Sequence, residues 1–123
     1  MKREIKFRAY SDHNQKMYPV SNIEWDSDGS LWVTADDGKN GIELIDEESH
    51  LMQYTGLHDT GGREIFEGDI VRNERGQIFP VNFDPETAAF LVGEYYFGSI
   101  GAGKALEVIG SIYENSFLLE VDS

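Results

Sequence analysis

Turn signals interrupt this chain every eight to twelve residues, and the apolar runs between them are too short for long helices. Asp28-Gly29, Asp59-Thr60-Gly61-Gly62, Arg75-Gly76 and Asp84-Pro85-Glu86-Thr87 each combine residues that favour tight reversal. The segments between them follow a period of two: Ile5, Phe7 and Ala9 alternate with Lys6 and Arg8, the pattern of a strand with one buried face. Thirteen glycines, with six tyrosines and seven phenylalanines, push the composition the same way. The expectation is a mainly β protein of eight to ten short strands, in a sandwich or small barrel.

Two apolar runs, Met17–Trp25 and Leu31–Thr34, flank Asp28-Gly29 and read as a hairpin. Leu51–Tyr54 reads as a further strand. Residues 42–50 leave helix and strand both open. Beyond a soft boundary near Gly56, five strands are expected on the plan of an SH3-like barrel: Ile70–Asn73, Gln77–Phe83, Ala89–Val92, Tyr95–Phe97 and Leu106–Tyr113, with a short helical turn in the tail. Pro80 inside the second of these predicts an edge or a bulge. The expected organisation is one compact unit, with an N-terminal β meander (1–56) packed on the SH3-like barrel (57–123). At 123 residues such a chain removes roughly two thirds of its unfolded surface from water, enough for a core without staples.

Composition closes several functional classes. There is no cysteine, hence no disulfide, thiolate metal site or thiol nucleophile. MKREIKFRAYSD carries charge but no apolar stretch of a secretory signal, and no run approaches the ~20 apolar residues that span a bilayer. The expectation is a cytoplasmic protein without membrane association. The net charge is −13, from 10 basic and 23 acidic side chains. That disfavours direct nucleic-acid binding, in which protein cations displace counterions from the phosphates, and favours a basic protein surface as partner. Lys2, Arg3, Lys6 and Arg8 hold four of the ten cations, so the remainder is more acidic still.

Four phrases carry a family likeness: IKFRAY at 5–10, KMYPV at 16–20, LMQYTGLHDTGGREIFEGDIV at 51–71 and EVIGSIYEN at 107–115. In this order they resemble the YopX family, small proteins encoded by phages and prophages of bacteria. The resemblance implies a mainly β protein with an SH3-like C-terminal part that assembles into homo-oligomers. It implies no activity and assigns no residue a role.

Candidate chemistry is sparse. Gly98-Ser99-Ile100-Gly101-Ala102-Gly103-Lys104 fits the spacing of a phosphate-cradling loop, but Ala105 stands where a metal-binding hydroxyl belongs and a strand, not a helix, is expected next. Asp36, Asn40, Gly41 and Glu47 fall on calcium-loop positions, but Gly38 replaces an oxygen ligand. Asp59, Glu64, Glu67 and Asp69 form an acidic group that suits either turn capping or a divalent-metal hydrolase or nuclease. His13, His50 and His58 lack the close pairing of zinc ligands. No cofactor, metal site or catalytic set is therefore expected, and the chain reads as non-enzymatic.

The aromatic runs are different. Adjacent Tyr95 and Tyr96 cannot both face one core, nor can Trp32 share a face with Leu31 and Val33. Trp25, Trp32, Tyr95, Tyr96 and Phe97 are the candidate interface for a homo-oligomer or another protein. Two readings of function follow: a self-associating protein-binding module, and an acidic decoy for a basic host protein.

Overall fold

The structure, a computed structural model, describes residues 4–36, 38–39, 41–44 and 49–120. It is built of antiparallel strands, with one helical turn in the tail, as the alternating pattern requires. The chain divides into two compact units, at Gln53/Tyr54.

The first unit, Ile5–Gln53, contains β1 (Phe7–Ser11), β2 (Lys16–Trp25), β3 (Leu31–Asp36), β4 (Gly41–Leu44) and the first half of β5 (Ser49–His58). The strands lie in the order β4-β3-β2-β1-β5. The Asp28-Gly29 hairpin forms as the turn chemistry dictates: Gly29 takes φ 88°, and Trp25 faces Leu31 across the ladder. One sheet face is dry. Ala9 lies between Tyr18 and Leu51, and Val33 pairs with Leu44, so small and large side chains interlock across neighbouring strands. Of the ambiguous residues 42–50, 42–44 are strand within β4 and 49–50 open β5; 45–48 lie outside the described residues.

The second unit takes in residues 54–120. The rest of β5 pairs with β6 (Glu64–Phe66), a short strand the sequence did not disclose. The five strands β7 (Asp69–Arg72), β8 (Ile78–Asp84), β9 (Ala89–Val92), β10 (Tyr95–Tyr96) and β11 (Glu107–Ser111) pair in the order β10-β9-β8-β7-β11. Closure of these five into a barrel is not part of that pairing. A single helical turn, α1 (Phe117–Glu120), ends the described chain. The core gathers Ile65, Val71, Val81, Val92, Phe97 and Leu106.

Two expectations need correction. Pro80 is at neither an edge nor a bulge. It lies in β8, the middle strand of the five, where pairing passes from β7 (78–80) to β9 (81–84). A change of ladder partner is where a central strand gives up an N–H at least cost. The predicted strand Tyr95–Phe97 is also too long. After Tyr96 the chain turns into a 3-10 segment, Phe97–Ser99, which breaks the alternation of sides.

The phrase EVIGSIYEN is explained by its corner. The register of β11 against β7 shifts between Val108 and Gly110. A Cβ on Gly110 would come within 2.5 Å of Asn115 Oδ1, which accepts the Ser111 N–H at 3.1 Å. Ser111 Oγ in turn accepts the Glu114 N–H and donates to Glu114 Oε1. We expect Gly110→Ala to push Asn115 off this bond and cost about 1–2 kcal/mol in urea denaturation. A loss under about 0.5 kcal/mol, the range of an inert surface substitution, would mean that Asn115 swings aside freely.

Candidate functional site

The acidic group of the signature is dispersed: Asp59 lies in the loop after β5, Glu64 in β6, Glu67 in a turn and Asp69 at the start of β7. Asp59, 7% exposed, closes the loop that leads from β5 to β6. Its Oδ1 accepts the N–H groups of Gly61 (2.9 Å) and Arg63 (2.8 Å), and its Oδ2 accepts the N–H of Val108 (2.9 Å) at the start of β11. Burial pushes the Asp59 carboxyl up, but these three donors and the Arg63 charge outweigh it and hold the group below the usual carboxylate range. Asp69, 1% exposed, accepts the Phe66 N–H at 2.7 Å across the Glu67-Gly68 corner, with Gly68 at φ 88°. Glu64 and Glu67 are half-buried and do not join them in a common cluster. Among the described residues no group of three or more His, Cys, Asp or Glu is placed to hold a metal ion.

The other loops are likewise spent on themselves. In the glycine-rich segment the amides point inward: the N–H groups of Ile100 and Ala102 go to Phe97 O, that of Lys104 to Gly101 O and that of Leu106 to Gly103 O. A phosphate cradle needs those same amides free. Asp36 Oδ1 accepts the Gly38 N–H, an Asx turn, while Asn40 and Glu47 of the calcium-like spacing lie outside the described residues. His50 meets Asp12 at 2.9 Å and His58 faces the Tyr54 hydroxyl at 3.3 Å; neither contact brings two histidines together.

The aromatics separate into surface and core. Trp25 (69% exposed), Trp32 (46%), Tyr95 and Tyr96 are open to solvent. Phe97 is not. It is 6% exposed and belongs to the core of the second unit, because the 3-10 turn rotates it inward and leaves both tyrosines outside. Tyr95 packs edge-on against Phe79 and lines a groove of about 410 Å³ with Arg75, Gln77 and Ile100, floored by Val92 and Leu106.

In the first unit a second groove, also about 410 Å³, lies on the outer face of β2, β3 and β4. Val33 and Ala35 turn inward, which puts Trp32 and Thr34 outward. Glu24 stands opposite Trp32 and Glu43 opposite Thr34. Trp32 Nε1–H donates to Asp26 Oδ2 at 2.6 Å, which pins the indole by its edge. The nearby Asp28 Oδ1 accepts the Ser30 N–H at 2.9 Å. The participation of Glu43 was missed by sequence reasoning. Its signal was the alternation along β4, unreadable while helix and strand both stood open there.

The chain matches the family described as YopX protein over residues 6–120. It belongs to the YopX family. Two solved structures are similar across nearly their whole lengths. Protein EF1440 from Enterococcus faecalis shares 24% identity at a TM-score of 0.68, over 96% of this chain and 99% of that one. Protein yopX from Bacillus subtilis shares 15% identity at a TM-score of 0.62, over 93% and 95%. At these identities the likeness shows a common YopX fold, which confirms the mainly β class. No curated protein matches the chain. Among the described residues no helix is long and apolar enough to cross a membrane.

Proposed function

We propose that this YopX-family chain is a non-enzymatic, self-associating module that acts by binding another protein, in the cytoplasm of a bacterium that carries a phage or prophage. The observation that carries the reading is the outward placement of Trp25, Trp32, Tyr95 and Tyr96. Large aromatic rings left in water are where binding energy concentrates when a partner covers them. The buried carboxylates Asp59 and Asp69, by contrast, are occupied by backbone donors.

Self-association draws on β10, the outer strand of the five, which carries Tyr95 and Tyr96 on an edge with no further ladder partner among the described residues. Such an edge pairs readily with another chain unless it is blunted. Size-exclusion chromatography with light scattering should return a dimer or larger species at micromolar concentration. Tyr96→Lys, which puts a charge on that edge, should weaken assembly by about tenfold or more. A monomer at every concentration would remove self-association from the proposal. The net charge of −13 favours a second reading, an acidic decoy that occupies a basic host protein. Its mark is a partner released as salt rises, because screening at 0.5 M shortens to about 4–5 Å.

A further inference from the structure

The outer face of β2–β4 has the chemistry of a receiver for one planar cation. The Trp32 indole lies on this face, and Trp25 lines the end of its groove. Among the described residues, three carboxylates, those of Glu24, Asp26 and Glu43, line it as well, and no lysine or arginine does. Asp26 holds Trp32 by its N–H and thereby fixes the ring before any ligand arrives. Glu24 receives only the Asn22 side-chain amide, at 2.8 Å, and no cation among the described residues pairs with Glu24 or Glu43. Like charges gathered without a counterion repel, and a bound cation relieves that repulsion. An indole face attracts a cation through its quadrupole. Guanidinium suits both features at once, since it stacks flat on aromatic rings and forks its N–H groups onto carboxylates, whereas an ammonium does neither as well.

We propose that this groove binds an arginine side chain presented by a basic segment of a partner protein, stacked on the Trp32 indole and hydrogen-bonded to Glu24 and Glu43. The inference rests on the protein-binding reading of this face and is independent of self-association through β10. The volume, about 410 Å³, lies within the usual range for a small-ligand cleft and exceeds what one guanidinium-tipped side chain fills.

The test uses the full chain and three short Gly/Ser peptides of identical spacing, bearing arginine, lysine or citrulline at the same positions. Tryptophan fluorescence and calorimetry read the binding. The arginine peptide should bind, with citrulline, its neutral isostere, at least about tenfold weaker. Trp32→Ala, and separately the Glu24→Gln/Glu43→Gln pair, should each weaken arginine binding by about tenfold, with the fold checked by circular dichroism. Glu86→Gln/Glu94→Gln removes the same charge from exposed positions of the other unit and should leave binding within about twofold, the residue of general electrostatic steering. Equal affinity for the lysine peptide would overturn the stacking argument. Arginine binding that ignores Trp32 would mean diffuse attraction to an acidic surface and would also overturn it. If no peptide binds while light scattering still shows an oligomer, the groove proposal fails and self-association through β10 stands; if assembly is absent as well, both fail.

Discussion

Asp59→Ala will destabilise the second unit by about 3–5 kcal/mol, the sum expected when three backbone donors lose a charged acceptor and part of the loss is made good by water. That is a large share of the 5–15 kcal/mol that holds a domain of this size folded. It should appear as a fall of about 10 °C or more in the midpoint of thermal unfolding at pH 7. Oδ1 of Asp59 ties the N–H groups of Gly61 and Arg63 within the loop, while Oδ2 reaches Val108, 49 residues further along the chain. Loss of the carboxylate therefore loosens both a local turn and a long-range seam. Asp59→Asn separates the two. Its carbonyl can still serve Gly61 and Arg63, but its amide presents N–H to the N–H of Val108, so about half of the effect should remain.

The same residue gives the acid limb of stability its sign. The folded Asp59 carboxyl lies below the ordinary carboxylate value. Its contribution is complete above the unfolded pKa of about 3.9 and is lost as pH falls through the lower folded value. Between pH 5 and pH 2 the wild-type chain should lose more stability than Asp59→Asn does, and the two unfolding curves should converge. Parallel curves would show that the carboxylate charge contributes nothing.

Gly103→Ala should cost about 3 kcal/mol, although the change adds one methyl group. Gly103 is buried, at φ 91°, a conformation that L-residues rarely adopt. Its added Cβ would stand 2.9 Å from Ile65 Cδ1 and 3.0 Å from the carbonyl oxygen of His58. Ile65 is fully enclosed and the second neighbour is backbone, so neither yields cheaply. Gly101→Ala is the control. It has a similar φ of 86° with nothing within 4 Å of the new Cβ, so it should lose only the conformational part, about 1–2 kcal/mol. Equal losses for the two substitutions, measured by chemical denaturation, would eliminate the packing term. The phosphate-loop spacing of Gly98–Lys104 thus has a structural reading, glycines placed where the chain reverses tightly against the core.

How much was legible depends on how local the cause was. The hairpin between β2 and β3 was readable because Asp28-Gly29 sets it within four residues, and β9 because Ala89–Val92 is bounded on both sides by turn chemistry. β6 was not, since Glu64–Phe66 is extended only by virtue of its pairing with β5. Phe97 misled for a related reason. Alternation holds only while the strand continues, and it ended one residue earlier. At the candidate site, Trp32 was flagged as outward by side alternation against Leu31 and Val33, but the carboxylates around it come from β2, the turn that follows it and β4, whose register no single segment states.

The amino-acid order by itself determined the mainly β class, the family, the acidic surface and the placement of the Asp28-Gly29 hairpin, because composition, period and turn chemistry act over a few residues. Only the tertiary structure decided which carboxylates became turn caps, which ring of the Tyr95–Phe97 run went inside, and that two tryptophans share a groove with Glu24, Asp26 and Glu43. Those outcomes depend on strand register and on where a ladder changes partner, and both are fixed by contacts between residues far apart along the chain.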